Sequence, residues 1–163
     1  MDIEANEKVY NTPFSEQLLF NMKQLNYRMN RLSEIDSTKA DNQNEYLMVF
    51  DAAIVLFRAL FLESGHQNEN FTLQNYYILT GRENVADAID AFLDSDFDSW
   101  SGNSIRKVLK TIADKYVCHL DKIDATQLAL ANGFMANLSS QASENNFLNI
   151  VKKLDSIITK ERA

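Results

Sequence analysis

The residues with chemical potential gather in one stretch, IADKYVCHLDK, at positions 112–122. It holds the only cysteine, Cys118, and one of the two histidines, His119. On a helix, Lys115 and Lys122 flank that histidine from four residues before and three residues after. Two ammonium groups beside an imidazole favour its neutral form. A neutral imidazole can act as a base, and cations can hold phosphates. The plain alternative is a histidine at the edge of an apolar face that packs and makes one hydrogen bond.

Metal chemistry fits poorly. Cys118 and His119 are adjacent, so on a helix they point about 100° apart and do not share an ion easily. His66 is the only other soft ligand. Asp94, Asp96 and Asp98 have the one-three-five spacing of a calcium loop, but Ser99 and Ile105 stand where glycine and a bidentate glutamate are required. The expectation is no metal and no cofactor. The same region invites a different use. Glu83, Asp87, Asp90, Asp94, Asp96 and Asp98 follow one another with no intervening lysine or arginine. Such a run is either a solvated surface or a docking face for a basic protein partner.

Composition bounds the rest. The chain has 163 residues, 45% hydrophobic, which suits one globular domain. One proline and four scattered glycines disfavour an all-β chain and exclude a Gly-rich phosphate loop. The net charge of −7 gives no bulk attraction for nucleic acid, so RNA binding would need a local basic strip. A single cysteine suits a reducing compartment. MDIEA lacks the basic region and apolar core of a signal peptide, and the apolar run from Tyr46 to Leu62 carries Asp51 and Arg58. These features point to a cytoplasmic protein without a membrane span.

The elements that must position the candidate residues read as helices. Residues 1–11 are expected to be a flexible N-terminus, and 12–163 a single helical domain. Thr12-Pro13 opens a helix carrying Leu18, Met22, Leu25, Met29 and Leu32 at alternating steps of four and three. That stripe suits an antiparallel partner helix or a dimer seam. A helix over 45–63 is apolar all round, so it belongs at the centre of a bundle. On it Asp51 and Arg58 share a face, and each needs a partner. A short helix follows, capped near Asn70 or Thr72 and closed by Gly81. Val85, Ile89 and Phe92 then mark an amphipathic helix. Ser104 caps a helix to about Lys122, which places Arg106 and Asp114 opposite its apolar side. Further helices cover 125–138 and about 143–161. The fold class is all-α, an antiparallel bundle of about five to six helices.

ADKYVCHLD is similar to the signature of HEPN domains of the abortive-infection type. IVLFRALFLE followed by NFTLQNYYIL resembles the helix-loop-helix that precedes it, so the likeness covers roughly residues 45–123. The resemblance implies a dimeric α-helical bundle. In active members it implies a metal-independent ribonuclease, with arginine and histidine meeting across the dimer seam. Asp114, His119 and Asp121 match the pattern. Ala113 stands where the family's arginine belongs, and Arg106 is nearly two turns upstream. Lys115 is not an equivalent phosphate fork. The implied function is therefore that of a catalytically degenerate member, a homodimer binding protein or RNA in an antiviral or toxin–antitoxin context. The alternatives are an active ribonuclease using His119, Lys115 and Asp114 with Arg106 and Lys122 as binding groups, or a small acidic inhibitor or adaptor docking through Asp87, Asp90, Asp94, Asp96 and Asp98.

Overall fold

The computed structural model describes residues 13–63, 72–99, 101–114, 125, 129 and 145–160. Among them the protein is an all-α bundle of six helices with no strand. Helix α1 spans Pro13–Glu34, with Glu16 in its first turn and Arg31 in its last, the signs that suit the helix dipole. Leu18, Met22, Leu25, Met29 and Leu32 are all buried. Helices α2 (Gln43–Phe57) and α6 (Phe147–Lys160), together with the turn that extends α2, cover this side of α1. The heptad-like stripe is therefore a seam inside one chain, and it cannot also serve as the dimer seam.

Between α1 and α2 the chain turns on Asp36, whose carboxylate accepts from the backbone and hydroxyl of Thr38. A short 3-10 turn, Ala40–Asn42, then leads into α2. Tyr46, Phe50, Ala53, Ile54 and Phe57 form its buried side. The helix ends in a widened π turn, Arg58–Leu62, in which the Glu63 amide donates to the Arg58 carbonyl at 3.2 Å. The expectation of a helix enclosed on all sides is corrected here. Met48 and Val55 face outward, 73% and 44% exposed, so α2 packs on one side only.

Helix α3 (Leu73–Leu79) starts where the Thr72 hydroxyl accepts from the Asn75 amide. It closes at Gly81, whose φ of 73° is a left-handed conformation that glycine adopts at little cost. Arg82 then stacks its guanidinium over the Tyr77 and Tyr76 rings, at 4.9 and 5.6 Å. Helix α4 (Glu83–Leu93) buries Val85, Ala86, Ile89 and Leu93. The following loop is closed by backbone bonds from Phe97 to Asn103 and from Ile105 to Ser95. Helix α5 (Ile105–Thr111) begins with Ser104 accepting from the Lys107 amide, and the backbone continues as a π turn through 112–114. Helix α6 starts at Phe147 because the Asn146 side chain caps the Asn149 amide. Asn145 donates to the Phe97 carbonyl, which ties this start to the α4–α5 loop.

The core runs through all six helices. Phe147 sits between Phe50 and Phe57 with edge-to-face geometry, at centroid distances of 5.9 and 5.5 Å. Fully burying each such side chain stabilises the fold by roughly 1.5–3 kcal/mol. No helix among the described residues is long and apolar enough to cross a membrane.

Candidate functional site

The two π turns meet. Arg58 lies at the start of the first, and Asp114 at the end of the second. The Arg58 Nε donates to the Asp114 carboxylate at 2.5 Å, and its Nη1 bonds Glu63. Both turns bring polar side chains to the rim of the core, where Arg58 and Asp114 are half-buried. Burial costs either charge several kcal/mol if it stands alone, and mutual pairing offsets that cost. The sequence showed that Arg58 needed a partner, but the partner is 56 residues away. The other half of that expectation does not hold: Asp51 is exposed, and no described residue pairs with it. Crowding by protein atoms still raises the Asp51 pKa through desolvation.

Position 113 is decided by the same geometry. Ala113 is fully buried, as are Ile105, Val108, Leu109 and Ile112, while Asp114 turns toward Arg58. A side chain at 113 therefore faces the core. A guanidinium reaches Asp114 from the π turn that ends α2. It arrives already balanced, because Asp114 and Glu63 place two carboxylates around one cation.

A second cluster joins α4 to α5. Arg106 donates to Asp90 through Nη2 at 2.6 Å and to Asp94 through Nε at 2.7 Å. Burial pulls the Arg106 pKa down, but the hydrogen bonds and charges of Asp94 and Asp90 outweigh it, and the net shift is upward. Asp90 also accepts from the buried Gln74, which in turn donates to the Phe61 carbonyl in the first π turn. Arg106 is thus a brace between helices. It also interrupts the acidic run: the sequence between 83 and 98 has no cation, but folding supplies one. Asp98 accepts from the Ser101 amide, while Asp87 and Asp96 are exposed. Lys107 and Lys110 are the exposed cations of α5.

His119, Lys115, Lys122, Asp121, Cys118 and His66 lie outside the described residues. Of the candidate site residues, the structure brings Arg106 to Asp90 and Asp94, and gives Asp114 a partner that sequence reading had not connected to it. Among the described residues no group of three or more histidines, cysteines or carboxylates is arranged to hold a metal ion.

No family model, no curated protein and no solved structure matches the chain.

Proposed function

We propose that this chain is a HEPN-like helical protein that has lost the catalytic guanidinium and acts by binding, as a homodimer, in an antiviral or toxin–antitoxin setting. The observation that carries this reading is at positions 113 and 114. Ala113 is buried where the family's arginine would stand, and the guanidinium that pairs with Asp114, Arg58, is also held by Glu63. A phosphate approaching Arg58 meets two carboxylates that already balance its charge. With Arg58 so engaged, the developing charge of phosphodiester cleavage lacks its stabilisation. Binding needs less. Exposed Lys107 and Lys110 offer RNA a local basic site, and exposed Asp87 and Asp96 offer carboxylates to a basic protein.

A second reading, an active metal-independent ribonuclease, is favoured by one observation: Arg58 does bring a guanidinium to Asp114. One experiment separates the two. Purified protein is incubated with single-stranded RNA in the presence of chelator, and binding and cleavage are followed together. The expected result is salt-sensitive binding without cleavage, weakened in Lys107→Glu and Lys110→Glu. Chelator-resistant cleavage that disappears in both His119→Ala and Arg58→Ala would replace the first reading with the second.

A further inference from the structure

Arg58 opens the first π turn and Glu63 caps it, five residues on. On a regular α-helix five residues rotate through about 500°, which leaves two such side chains about 140° apart. The widened turn removes that separation. The Glu63 amide donates to the Arg58 carbonyl at 3.2 Å, so residue 63 closes over residue 58, and its carboxylate accepts from the Arg58 Nη1. The π turn is therefore what sets a second carboxylate on a guanidinium that Asp114 holds through Nε.

Tertiary contacts keep the turn in this form. Gln74 of α3, 6% exposed, donates to the Phe61 carbonyl at 3.0 Å. The same amide donates to Asp90 at 3.1 Å, which ties the turn to the Arg106 brace between α4 and α5. The two carboxylates on Arg58 differ in reach. Asp114 is the more buried, 24% exposed against 35%, and its bond joins α5 to the end of α2. The Glu63 bond stays within one turn and is open to solvent, so it contributes little to stability. What it does is occupy Nη1. A guanidinium binds phosphate through the same donors that it offers to a carboxylate, so Glu63 and a phosphate compete for one group.

We infer that Glu63 is an autoinhibitory contact, which withholds the Arg58 guanidinium from the phosphodiester backbone of RNA until it is displaced. The inference rests on the binding reading above and names the regulation of its site. Exposed Lys110 precedes Asp114 by four residues, about 6 Å along the helix axis, so a strand held at Lys110 comes within a helical turn of the residue that holds Arg58.

The test uses the full-length protein and a short fluorescent 2′-O-methyl RNA, which cannot be cleaved through its 2′ oxygen. Affinity is measured by anisotropy over a range of salt concentrations, with circular dichroism to confirm that each variant is folded. Glu63→Gln should gain one phosphate contact. That is roughly a fivefold gain in affinity near 0.1 M salt, with a log–log salt slope steeper by about 0.7. Asp41→Asn, which removes an equal charge from an exposed site, should leave the slope unchanged. Adding Arg58→Ala to Glu63→Gln should abolish the gain. The latch and the binding reading can fail separately. Wild type and Glu63→Gln binding alike, with equal slopes, overturns the latch and leaves the binding reading standing. A gain in Asp41→Asn equal to that in Glu63→Gln overturns it too. Binding by Glu63→Gln with none by wild type supports the latch and removes RNA binding by the resting protein. Binding by neither overturns both.

Discussion

Arg58 and Asp114 form an ion pair across 56 residues, joining the π turn that ends α2 to the one that ends α5. The pair is 30% and 24% exposed, between the surface case, worth little, and the buried case, worth several kcal/mol. Arg58→Ala should cost about 2 kcal/mol and Asp114→Ala about 1 kcal/mol. The arginine change costs more because it leaves both Asp114 and Glu63 without this cation. Urea unfolding of the two variants and their double gives the coupling. Additive losses would show that the contact contributes nothing.

Phe147 anchors α6 to α2 through Phe50 and Phe57. Phe147→Ala should destabilise the fold by about 3–5 kcal/mol, and Phe147→Leu by clearly less, because leucine fills most of the cavity. Thermal unfolding of both variants measures the gap. A loss below about 1 kcal/mol for alanine would mean that α6 is not part of the cooperative core.

Burial pushes the Tyr46 phenol up to about 12 from its ordinary 10.0. The folded state therefore keeps its proton after the unfolded chain has lost it. Unfolding releases a proton in this window, so stability falls as pH rises from about 10 to about 12 and is unaffected well below 10. The thermal midpoint of wild type should drop across that window more steeply than that of Tyr46→Phe. Parallel curves would show that the phenol ionises normally in the fold.

Local signals at helix ends carry measurable stability. Ser104→Ala removes the acceptor for the Lys107 amide and should cost about 1 kcal/mol. Gly81→Ala meets no neighbouring atom, yet it forces a φ of 73° on a residue with a Cβ, again about 1 kcal/mol. Chemical denaturation of the two variants checks both values. A neutral Gly81→Ala would mean that the turn relaxes to another conformation.

The sequence by itself determined the all-α class and the inward faces of α1, α4 and α5. Leu18 to Leu32 on α1, Val85 and Ile89 on α4, and Ile105 to Ile112 on α5 are all buried as their spacing requires. The cap at Ser104 and the stop at Gly81 were legible because each depends on two to four neighbouring residues, and of the two candidate caps for α3, Asn70 and Thr72, the structure uses Thr72. Periodicity states which side of a helix is apolar, but not what covers it. Only tertiary structure decided that α2 and α6 cover the α1 stripe within one chain, and that Met48 and Val55 stay outside. It also decided the electrostatics. Arg58 finds Asp114, and Arg106 folds onto Asp90 and Asp94, because packing brings distant helices within hydrogen-bonding range. Coulomb and hydrogen-bond energies depend on separation in space, and separation along the chain carries no record of it.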